Sequence, residues 1–120
     1  MDEEVPKDSI DGWVQQGNGW WVYPLTQDST KFPKTMEYLE DLLPSIHSFG
    51  YSILFQNSII KFHTDPVDLE MVVIEGGSEG AWFIKDEKVF QDNIYVPKGT
   101  EWGQMNMTEN SVISLYYFLK

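Results

Sequence analysis

The second half of the chain consists of short apolar runs separated by residues that favour turns. After Phe49-Gly50, β-branched and aromatic residues dominate six runs, at 51–55, 58–63, 69–75, 81–85, 88–96 and 111–119. The intervening turn segments lie at 56–57, 65–66, 76–80, 86–87, 97–99 and 109–110. Many short strands at near-regular spacing predict two packed sheets in a sandwich or jelly roll.

The N-terminal part of the chain predicts a tail followed by a hairpin. Residues 1–12 hold five acidic side chains against one lysine, a composition typical of a mobile tail or an edge element. Gly17-Asn18-Gly19 then predicts a turn between strands at 13–14 and 20–23. We therefore expect an acidic tail at 1–12 and a single folded domain at 13–120, a length that suits one domain.

One segment has the periodicity of a helix. Between Pro33 and Pro44, the apolar residues Met36, Leu39 and Leu43 recur on one stripe, with acidic residues opposite. Proline is favoured at the start of a helix and ends one that reaches it, so we expect about three helical turns. The predicted fold class is mainly β, a sandwich with one helix in its N-terminal half.

The charge balance of the chain restricts its partners. Nineteen acidic residues stand against eight basic ones, all of them lysine, and the net charge is -11. This charge repels nucleic acid and anionic membranes and favours a basic protein partner, although it also serves solubility. The chain has no cysteine, which excludes disulfides and thiolate metal sites, and no apolar leader at its N-terminus. We expect a cytoplasmic protein that binds neither nucleic acid nor membrane.

One spacing in the chain indicates metal chemistry. His63-Thr64-Asp65 ends an apolar, β-branched run. Two histidines and one carboxylate on one face of a metal bind non-haem Fe(II) and leave positions free for oxygen and a co-substrate. His63 and Asp65 supply two of these three ligands. The other histidine of the chain, His47, lies upstream, so the spacing alone leaves open whether the site is complete.

Several further segments of the chain are informative through the order in which they occur. They are WVYPL at 21–25, FPKT at 32–35, LLPSI at 42–46, FGYSIL at 49–54, HTDP at 63–66, Trp82, YVPKGT at 95–100 and Asn106. Over roughly residues 20–118 this order resembles the aspartyl/asparaginyl β-hydroxylase family of Fe(II)- and 2-oxoglutarate-dependent oxygenases. The resemblance implies a double-stranded β-helix, that is, a jelly-roll or cupin-like fold. It also implies that His63 is the first metal ligand and that Asp65 holds the carboxylate position of the wider oxygenase pattern.

The chain departs from this family at two positions that the chemistry needs. Trp102 stands where the resemblance places the second metal histidine, and an indole donates a hydrogen bond but cannot ligate iron. The basic residue that would bind 2-oxoglutarate should open the last strand, which begins at Ser111. The chain has no arginine for that bidentate contact. Both departures favour a relative that has lost catalysis.

The candidate site residues have alternative interpretations. His63 also fits a half-buried strand residue bonded to backbone, and Asp65-Pro66 also fits a turn. Glu101 offers an oxygen ligand in place of the lost histidine, which would give a metal set of His63, Asp65 and Glu101. The candidates for a ligand pocket or a partner surface are aromatic: Trp20, Trp21, Tyr23, Trp82 and Trp102. Adjacent strand residues point to opposite faces of a sheet. The indoles of Trp20 and Trp21 therefore lie on different faces, and one of them lies away from the face on which the other is buried.

Two functions from different classes are consistent with the sequence. We expect a small acidic jelly-roll protein with no catalytic residues and no cofactor, which binds or inhibits a protein partner as immunity and anti-defence proteins do. The alternative is an active Fe(II)/2-oxoglutarate oxygenase with an altered ligand set that hydroxylates a peptide or a small molecule. The first is favoured because two independent requirements of the oxygenase chemistry fail together.

Overall fold

The computed structural model describes residues 12–25, 32–75, 81–84, 87–89, 93–106 and 109–120. The elements in these ranges are β1 (Val14–Gly17), β2 (Trp20–Leu25), α1 (Pro33–Leu39), β3 (Ile46–Leu54), β4 (Ser58–His63), β5 (Leu69–Glu75), β6 (Ala81–Ile84), β7 (Glu87–Val89), β8 (Asn93–Val96), β9 (Trp102–Asn106) and β10 (Val112–Leu119). A single 3₁₀ turn at Leu43–Ser45 joins α1 to β3. The predicted tail at 1–12 lies outside the described residues, except for Gly12.

The strands form two antiparallel sheets. One sheet has the order β1-β2-β3-β10-β5-β8, and the other has the order β4-β9-β6-β7. Strands far apart in sequence are neighbours, as where β10 pairs with β3 and places Ser114 opposite Ser52. Two packed sheets with such long connections form a jelly-roll sandwich. The predicted mainly β jelly roll with one helix is therefore confirmed.

The six-stranded sheet is packed on both faces. Its outer face carries α1 and a core that contains Leu39, Phe49, Tyr51 and Leu115. Its inner face packs on the four-stranded sheet through a second core: Leu54, Ile60, Leu69, Met71, Ile94, Val96 and Trp102. Because strand side chains alternate between faces, neighbouring residues on β2, β5 and β10 belong to different cores.

The helix is shorter than its apolar stripe predicts. α1 begins at Pro33, as expected, but ends at Leu39 rather than reaching Pro44. Leu39 is fully buried and Met36 packs on the same core, so the predicted apolar face is confirmed. Glu40 and Asp41 follow directly, and acidic side chains disfavour the C-terminal end of a helix because of its dipole. The chain turns there into the 3₁₀ segment.

No helix among the described residues is long and apolar enough to span a membrane.

Candidate ligand pocket

His63 lies at the C-terminal end of β4, where pairing with β9 is irregular. The register shifts between Ile60 and His63, so that His63 pairs with Trp102. The His63 side chain is 33% exposed, and its Nδ1 lies 2.7 Å from the carbonyl oxygen of Lys61. A carbonyl only accepts hydrogen bonds, so this contact assigns the proton of the neutral ring to Nδ1. The Nε2 atom then carries the free lone pair.

Asp65 follows two residues later and is held by Trp102. The indole Nε1 of Trp102 donates a hydrogen bond of 2.8 Å to Asp65 Oδ2. His63 Nε2 lies 3.8 Å from the same oxygen, beyond hydrogen-bond distance but close enough for electrostatic attraction when the ring is protonated. The rings of His63 and Trp102 also pack together, with centroids 4.6 Å apart. The structure thus brings together the histidine, the carboxylate and the tryptophan that the sequence singles out.

These three residues form one end of a cavity between the two sheets. Its volume is about 390 Å³. The remaining wall is mostly apolar: Trp20, Val22, Leu69, Met71, Tyr116 and Phe118, with Gln16 and Ser52 as polar members. Ser52 Oγ accepts a hydrogen bond of 2.9 Å from Trp20 Nε1, so both polar atoms are paired. A cavity of this size and character suits a small organic molecule.

Tyr116 contributes a phenol to the cavity wall. Burial raises the pKa of Tyr116 to about 12, so its hydroxyl is protonated at neutral pH. Its cross-strand partner is Gly50. A Cβ atom at Gly50 would lie 2.8 Å from the Tyr116 hydroxyl and 2.3 Å from a backbone oxygen of β2. The Tyr116 hydroxyl can therefore lie this close to β3 only because residue 50 is a glycine and has no Cβ atom.

The five aromatic candidates lie in different parts of the fold. Trp20 and Trp102 line the cavity. Trp21 and Tyr23 lie on the opposite face of β2 and pack in the outer core, where Tyr23 is 8% exposed. Trp82 belongs to β6, and its side chain lies outside the described part of the structure. Trp20 and Trp21 do point to opposite faces, and each packs against the core on its own face.

An iron centre does not fit the residues that the structure describes. Within those ranges, no group of three or more histidine, aspartate and glutamate side chains is placed to hold a metal ion. Glu101 is exposed and does not join His63 and Asp65 in such a group. Trp102 holds the place opposite His63 and cannot ligate a metal. The chain also has no arginine to bind 2-oxoglutarate.

Most residues of the cavity wall have no distinctive pattern in the sequence. Leu69 and Met71 are two residues apart on β5, and Tyr116 and Phe118 are two residues apart on β10. The alternation shows that each pair shares one face of its strand. The sequence gives no sign that this face borders a cavity rather than a filled core.

No protein-family model matches the chain, and no curated protein is similar to it in sequence. Solved structures are similar to it in fold. KdgF from Halomonas sp. superposes with a TM-score of 0.65 at 12% identity, covering 97% of this chain and 91% of that protein. An RmlC-like cupin from Shewanella frigidimarina gives 0.62 at 11% identity, covering 99% and 94%. Salicylate 1,2-dioxygenase from Pseudoaminobacter salicylatoxidans gives 0.62 at 15% identity, covering 88% of this chain and 26% of the enzyme.

The chain has a cupin fold. At identities of 11% to 15%, this likeness extends to the fold and no further. It supports the cupin-like part of the resemblance drawn from the sequence and leaves the hydroxylase family as a finer proposal.

Proposed function

We propose that this chain is a small cupin-fold binding protein that holds an apolar organic molecule in the cavity between its sheets. The observation that carries the proposal is the cavity of about 390 Å³, whose wall is mostly aliphatic and aromatic, with His63 and Asp65 side by side at one end. Concave, mostly apolar spaces with a few convergent polar groups are the usual form of a ligand site. The proposal keeps the non-catalytic interpretation and needs neither Fe(II) nor 2-oxoglutarate.

The apolar wall determines the main part of the ligand. Leu69, Met71 and Phe118 offer no hydrogen bonds, so the group against them is a hydrocarbon or a ring. A ligand that buries about 200 Å² of apolar surface gains about 5 kcal/mol, from which the cost of its lost freedom is subtracted. We therefore expect an aromatic or alicyclic ring system, which these apolar contacts alone would bind with a Kd of about 0.2 mM or weaker.

The polar end determines where a donor group of the ligand lies. Asp65 Oδ2 already accepts from Trp102, while the carboxylate has further acceptor capacity. His63 Nε2 is an acceptor when the ring is neutral, because Nδ1 faces the Lys61 carbonyl. Both groups therefore favour a hydroxyl or amine on the ligand.

N-Phenyl-1-naphthylamine is a suitable probe, because it is neutral, aromatic and carries one N–H donor. Its fluorescence rises in apolar surroundings, and we expect saturable binding to one site with energy transfer from Trp20 and Trp102. Met71→Trp fills the cavity and should abolish binding. Tyr95→Trp adds an indole at a position that is 50% exposed, and serves as the matched control.

Thermal unfolding establishes that each variant is folded, and Leu69→Phe is a second filling variant if Met71→Trp lowers the melting temperature. Binding to the wild type that survives both filling variants would place the probe elsewhere on the protein. That result, or no saturable binding by the wild type, would overturn the proposed function.

Descent from the aspartyl/asparaginyl β-hydroxylases is the finer part of this proposal. It is supported by the proximity of His63 and Asp65 and by the place of Trp102 opposite His63. The oxygenase alternative would need a third metal ligand from residues beyond those described. A cytoplasmic location belongs to the same proposal.

A second candidate, binding of a basic protein partner, is favoured by one surface feature. Within the described residues β4 is an edge strand of its sheet, and on it Ile59 is 48% and Phe62 55% exposed. Exposed apolar side chains on an edge strand favour the addition of a partner strand. The net charge of -11 attracts basic chains. An inhibitory role of the immunity or anti-defence type would use this surface.

A strand-forming peptide of alternating lysine and leucine tests this second candidate. The double variant Ile59→Ser/Phe62→Ser should weaken peptide binding about tenfold, whereas Met71→Trp should leave it unchanged. Equal affinity for the wild type and the double variant would show that only diffuse charge attraction is measured.

A further inference from the structure

A groove lies outside the cavity, between the β1–β2 turn and β4. Its volume is about 550 Å³, and its wall includes Asn18, Asn57, Ile59 and Lys61. Gln16, Trp20 and His63 line both the groove and the cavity. The two spaces therefore adjoin at these three side chains.

The charges along this path have opposite signs at its two ends. Asp65 lies at the cavity, where its carboxylate is 19% exposed. Lys61 lines the groove, is exposed, and forms no ion pair with any described residue. In a chain with nineteen acidic residues and eight lysines, a groove-lining lysine that pairs with no acidic side chain of the described ranges is a specific electrostatic feature. A ligand that spans both spaces meets a negative group inside and a positive group outside.

We propose that the cavity and the groove together bind one amphiphilic ligand, with an apolar ring in the cavity and an anionic group beside Lys61. The anionic group is a carboxylate, a sulfonate or a phosphate, which share the charge that an ammonium binds. This inference rests on the proposed function, since it assigns an orientation and a chemical class to a ligand of the same cavity.

The orientation follows from the placement of the charged groups. An anion driven into the cavity would meet the Asp65 carboxylate in partly buried surroundings, where like charges repel strongly. At the groove the anion stays hydrated and gains the attraction of Lys61. Between the two, the rings of Trp20 and His63 lie 5.9 Å apart and offer aromatic contact to the linking part of the ligand.

Two fluorescent probes with the same ring system separate the contribution of the charge. 8-Anilinonaphthalene-1-sulfonate carries a sulfonate, whereas N-phenyl-1-naphthylamine lacks it. At low ionic strength we expect Lys61→Gln to weaken sulfonate binding about threefold and Lys61→Glu to weaken it further. Neither variant should change the affinity of the neutral probe. Lys34→Gln, on α1 across the six-stranded sheet from the cavity, makes the same charge change as Lys61→Gln and should have no effect.

The outcomes distinguish the two proposals. If the neutral probe binds in the cavity but Lys61→Gln leaves sulfonate binding unchanged, the proposed function stands and the orientation inferred here is wrong. Equal losses of sulfonate affinity in Lys61→Gln and Lys34→Gln would also overturn the inferred orientation, because they would reflect the net charge of the protein alone. If neither probe binds the wild type, the proposed function itself fails.

Discussion

Replacing Trp102 with histidine should convert the pocket into a metal site. Trp102 pairs with His63 across the strands, their rings lie 4.6 Å apart, and the indole nitrogen lies 2.8 Å from Asp65 Oδ2. An imidazole at this position supplies a third ligand beside His63 and Asp65, which completes a set of two histidines and one carboxylate. Trp102→Phe is the matched control, because it also removes the indole but offers no ligand.

Both variants should lose stability without metal. Trp102 is 2% exposed, and truncating a buried aromatic to alanine costs about 3–5 kcal/mol, so the smaller change to histidine or phenylalanine should cost about 1–3 kcal/mol. Losing the hydrogen bond to Asp65 adds about 1–3 kcal/mol. A metal ion that binds only the folded state raises the free energy of unfolding by about 2.7 kcal/mol when its concentration is a hundred times Kd. At about 4 °C per kcal/mol, metal should raise the melting temperature of Trp102→His by about 10 °C.

Co²⁺ is a convenient metal for this experiment, because its visible absorption reports the ligand environment. Thermal unfolding with and without Co²⁺ should show the rise only in Trp102→His, and EDTA should reverse it. The double variant Trp102→His/His63→Ala should show no rise in melting temperature with Co²⁺. If Trp102→His is folded but gains neither absorption nor stability from Co²⁺, position 102 does not converge on His63 and Asp65, and the interpretation of Trp102 as the replacement of a metal ligand is wrong.

Three further predictions concern the wild-type pocket and its neighbours. Gly50→Ala should lower the free energy of unfolding by about 1–3 kcal/mol in urea, because its Cβ collides with backbone and with Tyr116. Gly17→Ala should cost far less, because its Cβ would lie 3.8 Å from the Trp20 ring, an ordinary van der Waals distance. Anaerobic Fe(II) titration with 2-oxoglutarate should show no tight binding and no difference between wild type and His63→Ala, whereas turnover of 2-oxoglutarate after oxygen is admitted would establish the oxygenase alternative. Burial raises the pKa of Tyr116 to about 12 and also raises that of Tyr117, so their protonated forms stabilise the fold fully below the unfolded pKa of about 10. Stability should fall as the pH rises from about 10 through the folded values, with a smaller fall in Tyr116→Phe by urea unfolding.

Local pattern was sufficient to predict most strands. The predicted runs 58–63 and 69–75 coincide with β4 and β5, because β-branched residues fill each run and turn residues bound it. Strand β9 was not predicted. Its inward residues Gln104 and Asn106 are buried but polar, and Gly103 has low strand propensity. β9 is a strand because it pairs between β4 and β6, a tertiary contact that no local pattern reports.

The candidate site was predictable only where its chemistry was distinctive. His63, Asp65 and Trp102 were identified because a polar pair ended an apolar run and because an indole stood in a histidine position. Tyr116 and Tyr117 show the limit of such inference: both are tyrosines of β10, yet one lines the cavity and the other donates a hydrogen bond to Glu70 on the opposite face. Alternation assigns them to different faces but does not tell which face borders empty space.

The contacts of Trp102 explain how His63 and Asp65 are accommodated in the folded protein. A carboxylate that is 19% exposed needs donors or a cation, because an unpaired buried charge is strongly destabilising. The indole N–H provides a donor to Asp65, and its ring packs on His63. The same indole is apolar over most of its surface, so it extends the wall that Leu69 and Met71 begin. Trp102 thus donates to the Asp65 carboxylate and makes the cavity suited to an apolar ligand, which supports the proposal that this pocket binds an apolar organic molecule.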